Sequence, residues 1–253
     1  MFFITINILV GCNKNSECKC KDSIIASDKY SYPVRAGSPE WNAAGFWGIG
    51  RANPLDSIYK LSQIPTTRLQ AMSTMGLIQS LLDNPCLFNM LLWDDVLIGR
   101  NEVLSQLNVS RALNLRTDAG INIVNYYEGK DPNCVVCLKT DDERGDFANN
   151  WYLLDIVCTQ NSILNQLDRK TKKRFSSIII DKFKNQLNYP GVFGSSRTSS
   201  VLVLSQIMIQ DDFQPYRDAL QANSKLYTFA FTGELTGDFY TLIIDFSTKY
   251  INS

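Results

Sequence analysis

Val201-Leu202-Val203-Leu204-Ser205-Gln206-Ile207-Met208-Ile209 is apolar on every side apart from Ser205 and Gln206. A helix that is apolar all round belongs at the centre of a fold, because a surface helix keeps a polar stripe. The polar stretch 195–200 precedes the run, and Asp211-Asp212 follows it. The run therefore reads as one central helix, and its neighbours must be elements that cover it.

Outward from that helix, the dominant pattern has a period of about 3.6 residues. Leu55, Ile58, Tyr59 and Leu61 mark a short helix before Pro65. Ser73 is placed to cap a helix bearing Leu77, Ile78, Leu81 and Leu82. Asn84-Pro85 breaks it, and Leu87, Phe88, Leu91 and Leu92 start another. Asp94 or Asp95 caps residues 96–107, Asn108 caps a short piece, and Thr117 caps residues 118–127. Phe147, Trp151, Leu154 and Cys158 resume the stripe. The longest helix spans about residues 168–187, with Phe175, Ile178, Ile179 and Phe183 facing inward. Asp212 opens the next helix, residues 226–231 read as helix rather than strand, and the last helix carries Leu235, Phe239, Leu242, Ile243, Phe246 and Tyr250. The count is about ten to twelve helices, and parallel-sheet alternation is missing. The expected fold is all-α: antiparallel helix pairs stacked as in an α-solenoid, or an irregular helical domain. The main interruption is 129–146, with Gly129, Pro132 and Gly145, where Val135, Val136 and Leu138 suggest a brief strand. It divides the 32–253 domain if two subdomains exist.

The chain has 253 residues, 25 basic and 25 acidic side chains, and no histidine. Zero net charge removes the long-range attraction that drives nucleic-acid binding. The missing histidines remove Ser-His-Asp and Cys-His nucleophilic sites and imidazole-ligated zinc. No run reaches the ~18 apolar residues of a spanning helix.

Phe2 to Val10 resembles the apolar region of a secretory signal, and it ends in Leu9-Val10-Gly11-Cys12. That tetrapeptide resembles the bacterial lipobox. The resemblance implies cleavage before Cys12 and diacylglycerol on its sulfur. Residues 1–11 are then a signal segment, with a start upstream of Met1 suggested by the absence of Lys or Arg before the apolar run. Residues 12–31, rich in Lys, Asp, Asn and Ser, read as a flexible tether. The expected location is the bacterial cell envelope, held to a membrane by lipid.

Six further cysteines remain: Cys18, Cys20, Cys86, Cys134, Cys137 and Cys158. An exported chain permits disulfides, and the spacing fixes no connectivity. Cys86 and Cys158 lie in apolar patterns and read as buried thiols. Cys134-Val135-Val136-Cys137 is a C-x-x-C, a candidate disulfide or redox pair. With Cys18 and Cys20 it also has the ligand count of a four-thiolate zinc site. The sequence context favours neither, and no metal or cofactor is expected.

Residues 169–174 place five cations in six positions, and Asp141, Asp142, Glu143 and Asp146 form an acidic run. The basic stretch reads as a solvated face and the acidic run as a solvated loop, since the acidic spacing matches no calcium loop. The segment Gly45-Phe46-Trp47-Gly48-Ile49-Gly50 has the wrong order and context for a phosphate loop. Carboxylates are scattered, with Asp94, Asp95, Asp155, Asp181, Asp211, Asp212 and Asp245 among them. Trp41, Trp47, Trp93 and Trp151 are candidates for core burial or sugar stacking.

Four motifs in order resemble an uncharacterised family of exported α-helical lipoproteins of Bacteroidota. They are Tyr32-Pro33-Val34 with Gly37 and Glu40-Trp41; Gln63-Ile64-Pro65 with Leu69 and Met72-Ser73-Thr74; Arg116-Thr117-Asp118-Ala119; and Val192-Phe193-Gly194 leading into residues 201–209. The resemblance spans about residues 32–245 and implies an exported helical domain, with no reaction attached. The Gly-rich 45–50 loop and the C-x-x-C depart from the family pattern. The expected function is a lipid-anchored envelope binding or scaffold module, without catalysis, for a protein or glycan partner. The alternatives are a histidine-free hydrolase using paired carboxylates and a thiol redox protein using Cys134 and Cys137.

Overall fold

The computed structural model describes residues 20, 25–35, 38–43, 54–234 and 239–253. Among them every regular element is helical. The helices are α1 (Pro39–Ala43), α2 (Pro54–Leu61), α3 (Thr66–Ala71), α4 (Thr74–Leu82), α5 (Val96–Gln106), α6 (Asn108–Asn114), α7 (Ala119–Gly129) and α8 (Asp141–Cys158). They continue as α9 (Asn161–Leu164), α10 (Arg169–Gln186), α11 (Pro190–Phe193), α12 (Arg197–Gln210), α13 (Gln214–Ala222), α14 (Ser224–Thr232) and α15 (Tyr240–Ile251). Three 3-10 segments intervene, at Leu87–Leu92, Pro132–Cys137 and Gly194–Ser196. The number exceeds the expected ten to twelve, and α1 and α11, of five and four residues, are too short to show a stripe.

Residues 198–208 of α12 are all buried. The helix is packed against α8, α10, α14 and α15. Full burial of a Val, Leu or Ile side chain stabilises by about 1.5–3 kcal/mol relative to exposure, so α12 is where the fold gains most per residue. A helix with partners on all sides is a hub. In a solenoid each helix pair meets only its neighbours. The arrangement is thus the irregular form of the all-α fold.

One contiguous core runs through the chain on both sides of 129–146. Tyr127 from α7 meets Trp151 of α8 and Phe175 of α10 edge-on, each with ring centroids 5.3 Å apart. Three local expectations are corrected here. Residues 135–138 form no strand: Pro132–Cys137 is a 3-10 turn, capped by the Asp131 side chain accepting from Asn133 N–H. The acidic run is no loop either. Thr140 and Glu143 form a capping box, and Asp141, Asp142 and Glu143 fill the first turn of α8, where negative charge suits the helix dipole. Asp212 does not open α13 but sits in the left-handed region, at φ 53°, in the link from α12.

Gly99 lets α5 lie on the Leu87–Leu92 turn. A Cβ there would fall 2.4 Å from the Met90 carbonyl oxygen, a contact that backbone must move to relieve. Gly145 in α8 has open space around the same position. Gly99→Ala is expected to destabilise by about 1–3 kcal/mol through overpacking, while Gly145→Ala is expected to stabilise by about 0.4–1 kcal/mol. Urea unfolding of the two variants checks the pair. Equal effects would contradict the close approach at Gly99.

Candidate functional site

The segment 25–35 builds one wall of an open groove. The sequence reads residues 25–31 as tether, but they are docked on α4. Ala26 N–H donates to Gln79 Oε1 (3.0 Å), and Tyr30 N–H donates to Ser80 Oγ (2.8 Å). Lys29 pairs with Asp83 at 2.5 Å. Asp28 accepts from Ser73 N–H (2.5 Å) and Ser73 Oγ (3.0 Å), beside the N-terminus of α4. The Ser73 backbone bond comes first among the causes that hold the Asp28 carboxyl below its ordinary value. Gly76 makes this possible, since a Cβ there would lie 2.4 Å from Asp28 Oδ1. Tyr32 and Val34 then bury their side chains. A polar composition misled the reading because the docking uses backbone donors and one carboxylate, which leave no apolar pattern.

The opposite wall is α8. Between the walls lies a groove of about 630 Å³ lined by Lys29, Tyr30, Arg35, Asp83, Phe88, Asp146, Asn149 and Asn150, among others. Asn149, Asn150 and Asp146 lie one to four positions apart and are solvent-exposed on α8. Phe88 is 47% exposed, which is unusual for a phenylalanine and leaves a bare ring at the groove. The arrangement offers amide donors and acceptors, charges of both signs and aromatic surface to a ligand.

Cys134 and Cys137 do not pair with each other. Cys134 is bonded to Cys20 across 114 residues of sequence, and Cys137 is likewise disulfide-bonded. In a 3-10 turn, residues three apart eclipse, so both sulfurs leave the turn on one side and are free to take separate partners. The redox-pair and zinc readings are thereby replaced by a staple between the N-terminal segment and the Pro132–Cys137 turn. Among the described residues no cluster of three or more His, Cys, Asp or Glu is placed to hold a metal. Cys86 and Cys158 are free and buried, as their apolar contexts suggest. Burial pushes the Cys86 thiol up to about 11 despite its contact with Ser62 Oγ. Cys12 lies outside the described residues, as do Trp47 and the 45–50 loop.

Asp155 is the buried polar centre, only 1% exposed. Tyr127 Oη donates to it at 2.8 Å, and Ser199 and Ser200 Oγ each at 2.7 Å. Desolvation raises its carboxyl to about 6, against the three hydroxyls that favour the charged form. Through these bonds it ties α7, α8 and α12 together. Its sequence signal was a lone carboxylate inside Leu153-Leu154-Asp155-Ile156-Val157, with Ser199-Ser200 just ahead of the hub run.

The basic stretch is used internally. Asp168 caps α10, Arg169 and Lys172 pair with Asp211, and Arg174 pairs with Glu128. Lys173 donates to the Ser253 carbonyl and sits over the Tyr250 ring. Trp41 and Trp151 are buried, whereas Trp93 is 46% exposed. No family model, curated protein or solved structure matches the chain.

Proposed function

We propose that this chain is a lipid-anchored binding module of the bacterial envelope, and that the groove between residues 25–35 and α8 takes a glycan. The observation that carries the reading is the groove itself: a bare aromatic ring beside exposed amides and carboxylates complements the apolar and hydroxyl faces of a sugar. The disulfide supports export, because such bonds persist in oxidising compartments and are rare in reducing ones. The lipobox-like Leu9-Val10-Gly11-Cys12 supplies the anchor. The eight chain steps from Cys12 to Cys20 reach at most about 29 Å. The body then stands close to the membrane, held there by lipid without any need of net charge.

A second reading draws on the same groove. Asp83 and Asp146 both line it, as a two-carboxylate hydrolase requires. Asp83 is already engaged by Lys29, which favours binding over catalysis.

Calorimetric titration of the full chain with a panel of soluble oligosaccharides tests both. Binding of at least one oligosaccharide, weakened about five- to tenfold in Asn149→Ala and in Phe88→Ala, is the expected result. Release of new reducing ends, lost in Asp146→Asn, would favour the hydrolase. Retention of peptides but no oligosaccharide would overturn the glycan assignment.

A further inference from the structure

A second pocket, of about 320 Å³, lies where α5, α6 and α9 meet. Arg100 forms part of its wall and is 7% exposed. A guanidinium carries five N–H donors and a permanent charge. Here Nη1 donates to Thr159 Oγ1 (2.5 Å), while Nε and Nη2 donate to Asn101 Oδ1 (3.0 and 2.8 Å). Both acceptors are neutral. Among the described residues, two N–H donors, one on each terminal nitrogen, have no protein acceptor. Thr159 caps the C-terminus of α8 and donates onward to the Ile156 carbonyl, so Arg100 meets the negative end of that helix through one hydroxyl. A helix end supplies about half a charge, and its effect falls off within a turn.

Burying a cation without a carboxylate is costly. Among the described residues Arg100 forms no ion pair, and Asp95, the acid whose charge it feels, lies beyond ion-pair distance. Desolvation accordingly lowers the guanidinium to about 10. Among the described residues no carboxylate lines the pocket. What does line it, besides Arg100, is a second arginine, Arg111, with the side chains of Asn114, Gln160 and Ser162. Arg111 uses Nη1 on the Ser105 carbonyl (2.6 Å) and is otherwise exposed at the rim. The site is thus positive and rich in neutral hydrogen-bonding groups. It is walled by a buried cation with unused donors.

We infer that this pocket binds a small oxyanion, a carboxylate or phosphate group, between Arg100 and Arg111. Both anion types match the planar fork of a guanidinium, which binds two oxygens at once. The site is separate from the groove described above and shares no lining residue with it. It does not depend on the glycan reading.

The test is a thermal and calorimetric titration of the full chain with inorganic phosphate in one arm and succinate in the other. Sodium chloride at matched ionic strength is the control. The expected result is a saturable rise in Tm in at least one arm beyond the chloride control. The arm that responds names the source of the oxygen pair. Arg111→Ala is expected to keep the fold and weaken binding about tenfold. Arg100→Met is expected to abolish the response. Should Arg100→Met fail to fold, the Arg100 Nε–H resonance of the wild type provides the readout, and it is expected to shift on titration. Equal responses to chloride and to both oxyanions would overturn the inference, as would an unchanged response in Arg111→Ala.

Discussion

Asp155→Ala is expected to cost about 3–5 kcal/mol of folding stability, among the largest effects of any single change in the chain. The carboxylate accepts from Tyr127, Ser199 and Ser200, all of which are buried or nearly so. Alanine leaves the Tyr127 and Ser200 hydroxyls short of this acceptor, while Ser199 keeps the Ser196 carbonyl at 2.6 Å, and it opens a void at the junction of α7, α8 and α12. Asp155→Asn keeps the volume, and hydroxyl groups turn to meet an amide, so its cost is expected to be smaller. The two variants differ more sharply in pH dependence. The folded-state carboxyl is raised to about 6 from an ordinary 3.8. Between those values the folded protein still holds a proton that the unfolded chain has released. The stabilising contribution of this group therefore falls as pH rises through that window, by at most about 1.4 kcal/mol per pH unit, and is level above it. Asp28, whose carboxyl is lowered, acts in the opposite sense and loses its contribution as pH falls below its ordinary value. Urea unfolding at pH 4.5, 5.5 and 7 separates the terms. The difference in stability between wild type and Asp155→Asn is expected to shift against wild type from pH 4.5 to about 6 and to change little from there to pH 7. A pH-independent difference would contradict a raised, buried carboxyl.

Cys20→Ser is expected to cost about 2–5 kcal/mol. The Cys20–Cys134 bond closes a loop of 114 residues in sequence, so its loss frees a large unfolded ensemble. Reductant removes the Cys137 bond as well and is expected to destabilise the wild type more than Cys20→Ser alone. Chemical unfolding with and without reductant measures both. The helical core does not run through the disulfide, so the reduced chain is expected to remain folded at low denaturant. A reduced wild type with unchanged stability would contradict a staple that restrains the unfolded chain.

Much of the fold was legible because burial writes itself into sequence periodically. The run 201–209 reads as a buried helix, and Ser73 and Asp95 cap where their side-chain chemistry predicts. Asn108 shows the limit. Its side chain bonds Ile64 N–H and C=O, 44 positions away, rather than capping its own helix. Val135 and Val136 suggested a strand, yet Val136 is 68% exposed in a 3-10 turn, because two β-branched residues beside a proline-led turn have no partner strand. The same distance in sequence hid the sites. The groove joins residues 29–35 to 146–153, and the anion pocket joins Arg100 to Gln160. No local pattern announces either meeting. The C-x-x-C spacing was visible, but its partners were set by where the N-terminal segment docks. That docking rests on Asp28, Ser73 and Gly76, three residues without an apolar signature.

Metabolic labelling with palmitate reads export and anchoring at once. Wild type is expected to take up label and to begin at a lipid-modified Cys12 by mass spectrometry, with Cys12→Ser unlabelled. A wild-type chain that carries no label and retains residues 1–11 would contradict the anchored module.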